Sequence, residues 1–561
     1  MRSLNTMTGV IAAAILAGHA CTACAQQEQK TPGQDGGRII RKNNSEGGSD
    51  PQGQQSLRRR IRNRMHEGSG QSRGEGGTWL RDFGTPAPYP VEVDQRPGNF
   101  TVRSTRDGIL RSAVSQAMFS PSGCEVTWSI EPAESGLDLT YVISNRSGVS
   151  QAMPTLQIGG LEFGDVIEYV DHRTTSELRT LDATGGRAVW SATELYPQSL
   201  YAPVIIARND RHAMGLSLQY PLYRYQHQIR TYIGRGPGPN SRTWNTRFHL
   251  DGELAPNESR EYLVSMRFTD REDWIHTIAP YKEYFSRYGS VRYQQDLRPV
   301  WAMAIGDTLR ISPDNPRGIN GYRADLNGWQ RDVDYLLDYA APAGFERVMV
   351  WAASGMYDEH RGNNFPPQFM VEWTGPMIDT ESQWTRVRDA GIDLLFWWGR
   401  SGQYAEQWND DVLDKFTPTT PVQSRMMLDQ WRLALRRGAS GVGLDAFTQM
   451  DAWHAIPWIA LLRELKPDAT IIAEPACYDL LNLHVPTMFY SVDIDRAPHL
   501  LADYLVPGRE LWVHWNGNDV TIERLEEYIA QGMTIILRGR QISAHDLRAA
   551  VERAQQGQGQ R

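Results

Sequence analysis

The stretch GVGLDAF at residues 441–447 is a short apolar run that ends abruptly in one carboxylate, that of Asp445. A second run of the same kind, TIIAEP at residues 470–475, ends in Glu474. Such runs are typical of strands that are buried on both faces of a parallel sheet. Parallel α/β barrels place their chemistry at the C-terminal ends of the strands. We therefore expect these two carboxylates on neighbouring strand ends, an arrangement that can break a glycosidic bond.

The same alternation of apolar run and amphipathic helical stretch fills the chain from about residue 298. The predicted strands are Val300–Ile305, Arg347–Trp351, Ile392–Trp398, Gly441–Asp445, Thr470–Glu474, Thr487–Val492, Glu510–Trp515 and Met533–Leu537. The predicted helices are Trp329–Tyr339, Glu381–Ala390, Val422–Arg437, Trp453–Leu465, Pro498–Tyr504, Ile522–Gln531 and Asp546–Gln555. Eight such units over residues 291–556 have the size of a (β/α)8 TIM barrel.

The preceding region, residues 79–290, follows a period of two instead. Tyr262, Val264, Met266 and Phe268 alternate with polar residues, and residues 137–142 behave similarly before a turn. Many short strands separated by turns favour an antiparallel β-sandwich. We expect this domain to be mainly structural and to complete one wall of the cleft.

The N-terminal segment has the features of an export signal. Residues 1–25 combine a basic start, an apolar stretch and small residues around Cys24, so we expect a signal peptide and a secreted or periplasmic protein. A lipid anchor on Cys21 or Cys24 is the alternative. Residues 26–78 are rich in Gly, Gln, Ser and Arg, which predicts a disordered linker. Its basic patch, residues 56–64, is interpreted as a solvated tether rather than a binding surface for acidic polymers.

Composition excludes several classes of function. A formal net charge of −8 over 561 residues argues against a nucleic-acid surface. Past the signal, no stretch is apolar enough to span a membrane. Only Cys124 and Cys477 follow the signal, so neither a disulfide scaffold nor a cysteine metal site is expected.

The residues that follow the predicted strands make the barrel mouth acidic and aromatic. Carboxylates accept hydrogen bonds from hydroxyls, and aromatic rings cover the apolar faces of sugars. Asp519 joins Asp445 and Glu474 as a third catalytic candidate. The candidates for substrate binding are Trp351, Trp397, Trp398, Arg400, Asp493, His514 and Trp515. Core packing is the competing interpretation for the tryptophans.

Other barrel chemistries fit less well. The first strand lacks the His-x-His of metal-dependent barrel hydrolases, and no Gly-x-Ser-x-Gly elbow occurs. Residues 358–360, Asp-Glu-His, could ligate calcium or zinc, but a solvated loop is the favoured interpretation. We therefore expect no cofactor and no catalytic metal. The expected partner is an oligosaccharide or polysaccharide.

A β-sandwich followed by a barrel with an aspartate ending strand four resembles the α-amylase and α-galactosidase superfamilies of glycoside hydrolases. Residues 443–446, Gly-Leu-Asp-Ala, are similar to the nucleophile strand of the α-amylase group, and Glu474 falls where that group keeps its acid/base. Asn518 and Asp519 fall where that group's stabilising aspartate follows an Asn-His. The segment Trp515–Leu525 also resembles the region of the α-galactosidase group that holds its acid/base, and Asp493 matches that position by strand count.

The sequence departs from both groups just before the candidate nucleophile. Gly443 stands where the α-amylase group has arginine and the α-galactosidase group usually has lysine. The resemblance implies a glycosidase for α-linked sugars, retaining if Asp445 and Glu474 are the pair. It implies inversion if a more distant aspartate is the acid. A non-catalytic carbohydrate-binding protein and a transglycosidase are the alternatives.

Overall fold

The structure, a computed structural model, describes the greater part of the chain from residue 71 onward. The described ranges are 71–73, 79–96, 99–106, 114–116, 123–162, 166–170, 178–182, 190–197, 200–235, 242–304, 328–351, 380–399, 401–404, 414–445, 447, 450–474, 478–490, 498–515, 521–538 and 543–558. All of them belong to one compact unit, residues 70–561.

Two antiparallel sheets dominate the first half of the described chain. The larger sheet has, in spatial order, β11 (Leu178–Asp182), β10 (Val166–Val170), β13 (Val204–Arg208), β14 (His212–Gln219), β18 (Ser259–Asp270), β7 (Gly136–Ser144) and β6 (Glu125–Ala133). The second sheet has β12 (Trp190–Tyr196), β15 (His227–Arg235), β16 (Arg242–His249), β9 (Thr155–Glu162) and β5 (Val114–Gln116).

The two sheets share an apolar core, as a sandwich requires. Tyr262, Val264, Met266 and Phe268 on β18 are all buried. Tyr169 of the first sheet contacts Trp244 of the second, with ring centroids 5.8 Å apart. The predicted β-sandwich is confirmed.

Short strand pairs accompany these sheets. They are β1 (Gln71–Arg73) with β2 (Trp79–Arg81), β3 (Val91–Arg96) with β4 (Asn99–Ser104), β8 (Gln151–Ala152) with β17 (Glu253–Leu254), and β22 (Gln403–Tyr404) with β23 (Asp414–Lys415). Strand β1 corrects one expectation, because residues 71–73 were assigned to the disordered linker and instead pair with residues 79–81. Residues 1–70 and 74–78 lie outside the described residues, and with them the predicted signal peptide.

Eight parallel strands close into a barrel in the second half of the chain. In barrel order they are β19 (Val300–Ala304), β20 (Arg347–Trp351), β21 (Asp393–Trp398), β24 (Ala439–Leu444), β25 (Thr470–Ala473), β26 (Thr487–Tyr490), β27 (Leu511–His514) and β28 (Thr534–Arg538). Each coincides with a predicted strand to within two residues at either end. The predicted (β/α)8 barrel is confirmed.

Seven of the described barrel helices occupy the positions that the sequence predicts, and a short helix between strands five and six, Asp479–Asn482, is not predicted. In chain order the described barrel helices are α2 (Gly328–Tyr335, continued by a π-helical turn at Leu336–Ala340), α3 (Thr380–Asp389), α4 (Pro421–Arg436), α5 (Ala452–Leu465), α6 (Asp479–Asn482), α7 (Pro498–Leu505), α8 (Ile522–Ala530) and α9 (Ala544–Gln558). A 3-10 helix, Arg271–Ile278, and helix α1 (Ala279–Ser286) connect the sandwich to the barrel. Among the described residues, no helix is both long and apolar enough to cross a membrane.

Local sequence sets the boundaries of barrel unit four. Pro421 stands at the start of α4, where its missing N–H costs nothing. Gly438 ends that helix at φ +90°, a left-handed conformation that favours glycine. Strand β24 begins at the next residue, so the glycine turns the chain from the helix layer into the barrel.

A network of buried ions closes the N-terminal end of the barrel. The fully buried guanidinium of Arg347 lies 4.7 Å from the ring centroid of Trp512 and 3.2 Å from the Asp296 carboxylate. Glu510 accepts hydrogen bonds from the Thr534 hydroxyl at 2.7 Å and from the Trp512 indole N–H at 2.5 Å. Burial raises the pKa of Glu510 to about 7, and these hydrogen bonds act in the opposite direction.

Candidate active site

The barrel interior shows which side chains of each strand point inward. Met349, Leu395, Ile472, Trp512 and their interior neighbours form one apolar cluster, separate from the core between the strands and the helices. Because successive strand residues alternate between faces, residues two positions later point the same way. This alternation directs Trp351, Trp397, Glu474 and His514 into the barrel at its C-terminal end.

The main chain at Asp445 is held by the end of strand three and by the loop that follows it. The Asp445 N–H donates to the Trp398 carbonyl at 3.0 Å. The Asp445 carbonyl accepts from both the N–H and the hydroxyl of Ser401, each at 3.0 Å. Ser401 is fully buried. These bonds continue the sheet ladder one residue past β24, so the residue that carries the carboxylate is fixed on this side.

The main chain at Glu474 is held in the same manner by strand four. The Glu474 N–H donates to the Leu444 carbonyl at 2.9 Å, and the Phe447 N–H donates to the Glu474 carbonyl at 3.0 Å. The last paired residues of the two strands are Leu444 and Ala473, each directly preceding one carboxylate residue. Asp445 and Glu474 therefore stand next to each other in register. Glu474 is buried and Asp445 is partly exposed.

Three aromatic rings stack across the interior next to these residues. The ring centroids of Trp351 and Trp397 lie 4.9 Å apart with planes 21° from parallel. Trp351 also stacks on His514, at 5.0 Å and 23°. Strand β21 adjoins β20 on one side, whereas β27 lies three strands away on the other. The stack thus links strands two, three and seven, and Trp351, its central member, is partly exposed.

The ring of Trp397 explains the glycine that precedes the candidate nucleophile. A Cβ at Gly443 would lie 2.3 Å from Cε3 and 2.7 Å from Cζ3 of Trp397, closer than real contacts allow. The indole therefore covers the backbone of strand four at Gly443, which lies two residues before Asp445 and on the same face of the strand. The resembled superfamilies place a basic side chain at this position, and here an aromatic ring from strand three occupies the space.

Two predicted binding residues do not face the barrel interior. Trp398 and Trp515 are both 0% exposed and belong to the core between strands and helices. Trp398 contacts Trp458 of α5 at 6.4 Å, and Trp515 contacts Tyr528 of α8 at 5.5 Å. Their immediate neighbours Trp397 and His514 point inward, and strand alternation sends these two tryptophans to the helix layer. The structure thus corrects the expectation that they line the mouth.

Several candidates fall outside the described residues. They are Arg400, Asp493, Asp519, Cys477 and the possible cation ligands at residues 358–360. Their assignments stay predictions. Within the described residues, no group of three or more His, Cys, Asp and Glu side chains is arranged to hold a metal ion. The Cys124 thiol is buried in the sandwich and donates a hydrogen bond to the Ala152 carbonyl at 3.7 Å.

Ser401 and Gly443 are site residues whose roles the sequence did not reveal. Ser401 follows a strand end, a position that could have drawn attention, but its hydrogen bonds to Asp445 depend on the path of the loop. Gly443 departs from the resembled sequences, which have a basic residue at this position. The ring that fills its place could not be identified without the fold.

Comparison with known proteins agrees with the architecture. No family model and no curated protein sequence matches this chain. Among solved structures, the chain is similar to an α-N-acetylgalactosaminidase from Bifidobacterium bifidum in complex with GalNAc, with a TM-score of 0.50, 12% identity, and coverage of 86% of each chain. An α-galactosidase from Thermus thermophilus in complex with stachyose has a TM-score of 0.38 at 12% identity, covering 78% of this chain and 92% of its own.

A Glycoside Hydrolase Family 97 enzyme from a Pseudoalteromonas strain, in complex with acarbose, has a TM-score of 0.37 at 10% identity. It covers 69% of this chain and 66% of its own. Sequence identities of 10–12% indicate a similar fold and nothing about function. The similarity with a TM-score of 0.50 agrees with the fold described above, a (β/α)8 barrel preceded by a β-rich domain.

Proposed function

We propose that this protein is an exported glycoside hydrolase that cleaves α-linked sugars with retention of configuration. Asp445 is the nucleophile and Glu474 is the acid/base. The observation that carries the proposal is the backbone pairing of Glu474 with Leu444 and Phe447, which brings the two carboxylate residues side by side at the C-terminal edge of the barrel.

The spacing of neighbouring strands supports retention. Adjacent strands lie about 4.8 Å apart. Carboxylates on two such strand ends can approach to about 5–5.5 Å, the separation of retaining pairs, whereas inverting pairs need roughly 6.5–9.5 Å to admit water. If Asp493 or Asp519 were the acid instead, the pair would span the mouth and inversion would follow.

The reaction then has two displacements. The Asp445 carboxylate attacks the anomeric carbon while the bond to the leaving oxygen breaks, and Glu474 gives its proton to that oxygen. Glu474 next takes a proton from water, and the water oxygen attacks the same carbon. This step breaks the bond to Asp445 and restores both carboxyl groups. An acceptor sugar in place of water would make the protein a transglycosidase.

The aromatic stack gives the sugar a partly apolar surface. Trp351 is exposed enough to contact a ligand, while Trp397 and His514 support it from either side. Arg400, Asp493 and Asp519 are proposed to contact sugar hydroxyls or the developing positive charge. The preference for α-linkages follows the resemblance at Asp445 and the α-glycosidase similar to this chain in fold.

Hydrolysis of a panel of aryl α- and β-glycosides by the full chain tests the proposal. Asp445→Asn and Glu474→Gln should each lower kcat for the cleaved substrate by several hundredfold or more, on the order of 4 kcal/mol. Asp429→Asn, on the exposed face of α4, is the control and should retain activity. Proton NMR of the first product should show the α-anomer when an α-glycoside is cleaved.

Three other outcomes would change the assignment. Activity that survives Glu474→Gln but not Asp445→Asn moves the acid role to Asp493 or Asp519. Sugar binding without turnover of any substrate favours the non-catalytic carbohydrate-binding protein. Products extended by an added acceptor sugar identify a transglycosidase.

A further inference from the structure

The turn between strands five and six is anchored by the β-sandwich. The described part of this turn after Glu474, residues 478–486, contains helix α6, Asp479–Asn482. The Asp479 side chain is fully buried. Its Oδ1 accepts a hydrogen bond from the Tyr196 hydroxyl at 2.6 Å, and its Oδ2 accepts one from the Tyr281 hydroxyl at 2.7 Å. Tyr196 ends sandwich strand β12, and Tyr281 belongs to α1, the helix that follows the sandwich.

Further contacts hold the same turn from the same direction. The Asp479 N–H donates to the Tyr201 carbonyl at 2.8 Å. The Tyr201 hydroxyl donates to Asn482 Oδ1 at 2.9 Å. The Arg292 N–H, in the segment between α1 and the barrel, donates to the Leu483 carbonyl at 2.8 Å. These bonds join residues that are far apart in the sequence, so the sandwich fixes a part of the barrel that lies just past Glu474.

We propose that Asp479 is a positioning residue through which the sandwich tyrosines Tyr196 and Tyr281 hold the turn after strand five and, with it, Glu474. This proposal rests on the proposed role of Glu474 as acid/base. The backbone of Glu474 is already fixed toward strand four. Asp479 supplies a second point of attachment five residues later, on the side of the sandwich.

Because the Asp479 carboxylate is buried, its attachment to the sandwich depends on the hydrogen bonds that Tyr196 and Tyr281 donate to it. Burial raises the pKa of Asp479 to about 7, while the hydrogen bonds from Tyr196 and Tyr281 act in the opposite direction and favour the charged form. The backbone N–H of Leu480 donates to the same carboxylate at 2.7 Å. Removing one hydroxyl leaves a buried carboxylate oxygen without a donor that it has in the intact protein, so the turn should loosen.

The leaving group provides a readout that a merely structural role would not move. A glycoside with a very acidic phenol as leaving group needs little protonation, whereas one with a weakly acidic phenol needs the proton from the acid/base. Misplacement of Glu474 should therefore slow cleavage of the glycoside with the weakly acidic phenol more than cleavage of the glycoside with the very acidic phenol. We expect Tyr196→Phe and Tyr281→Phe to lower kcat/KM, which reports only the first displacement, about 5- to 20-fold for the weakly acidic leaving group and less than twofold for the acidic one.

Two further variants sharpen the test. Tyr89→Phe removes the hydroxyl of another buried tyrosine, which accepts a bond from Ser104 at 3.3 Å and whose ring lies 6.5 Å from that of Phe268 in the sandwich. It should leave both substrates unchanged. Asp479→Asn keeps the shape of the carboxylate and should reproduce the dependence on the leaving group. Equal losses for both substrates, or an effect of Tyr89→Phe as large as that of Tyr281→Phe, would overturn the proposal.

Amide hydrogen exchange separates this inference from the proposed function. The peptide covering residues 478–485 should exchange faster in Tyr196→Phe and Tyr281→Phe than in the wild type and in Tyr89→Phe. If the wild type cleaves no sugar, the proposed function fails, and the catalytic half of this inference fails with it. Unchanged exchange in an enzyme that does cleave sugars would show that the tyrosines do not hold the turn.

Discussion

The carbonyl oxygen of Asp445 accepts two hydrogen bonds from Ser401, one from its backbone N–H and one from its hydroxyl, each 3.0 Å long. The Asp445 N–H is bonded in turn to Trp398. A short side chain on a main chain held at both its N–H and its carbonyl has little freedom to move. A nucleophile benefits from such restriction because the correct geometry of attack does not have to be found anew in each turnover.

Ser401→Ala should lower kcat with little change in KM. The variant removes the hydroxyl bond and leaves the backbone bond intact, a loss of about 0.5–1.5 kcal/mol, or roughly two- to twelvefold in rate if it is felt in the transition state. Ser401→Thr keeps the hydroxyl and should recover part of the rate. Ser440→Ala is the matched control, since its hydroxyl bonds the Leu394 carbonyl at 3.1 Å near the start of strand four. Equal kcat losses in both serine-to-alanine variants would contradict a specific role.

Gly443→Ala should destabilise the barrel and displace the indole of Trp397. The added Cβ would lie 2.3 Å from the ring, and the ring is itself stacked on Trp351. Overpacking of this kind costs about 1–3 kcal/mol in the free energy of unfolding. Urea denaturation and near-ultraviolet circular dichroism would report the two effects. Gly148→Ala, where a Cβ meets nothing within 4 Å, should change neither measurement.

The sequence predicts the architecture well because burial dictates it locally. A strand that is covered on both faces must be largely apolar, and the eight barrel strands are, with their charged residues confined to the strand ends. The candidate pair is predicted for the same reason, since Asp445 and Glu474 are carboxylates that interrupt two such runs. Local sequence is enough here because strand order follows chain order around the barrel.

The direction of individual side chains was predicted less well. The sequence analysis predicts both members of Trp397-Trp398 and of His514-Trp515 at the mouth, although neighbours on a strand must point to opposite faces. To decide which member of each pair points inward, the register of all eight strands must be known, and the sequence alone does not supply it. Asp479 was missed for a different reason. Its partners Tyr196 and Tyr281 lie about 200 or more positions earlier, and nothing local signals their meeting.

Trp351→Ala should raise KM for the cleaved glycoside, because Trp351 is the partly exposed ring of the stack. Aromatic contacts of this kind contribute about 0.5–1.5 kcal/mol, so KM should rise roughly two- to tenfold. Trp398→Phe is the informative comparison. Its indole packs against Trp458 outside the barrel interior, so it should lower the free energy of unfolding without changing KM. A larger change in KM for Trp398→Phe than for Trp351→Ala would reverse the assignment of the two rings.

Glu510→Gln should change the pH dependence of stability in a defined direction. The pKa of Glu510 is raised from its ordinary value of 4.5 to about 7, chiefly by burial, so between those values the folded state binds more protons than the unfolded state. The contribution of this group to the free energy of unfolding is therefore greatest below pH 4.5 and declines as the pH rises to about 7. Glutamine cannot titrate, and its amide faces the donors of Thr534 and Trp512, which costs stability equally at every pH.

The free energy of unfolding of Glu510→Gln, relative to wild type, should accordingly rise between pH 4.5 and 7 and level off above. The slope cannot exceed about 1.4 kcal/mol per pH unit for one proton. Other acids, including Asp479, titrate in both proteins and cancel in the difference. Urea denaturation at several pH values measures it, with Glu464→Gln on the exposed face of α5 as the control for the loss of one surface carboxylate. A difference that falls with rising pH would mean that the positive charge of Arg347, rather than burial, determines the charge state of Glu510.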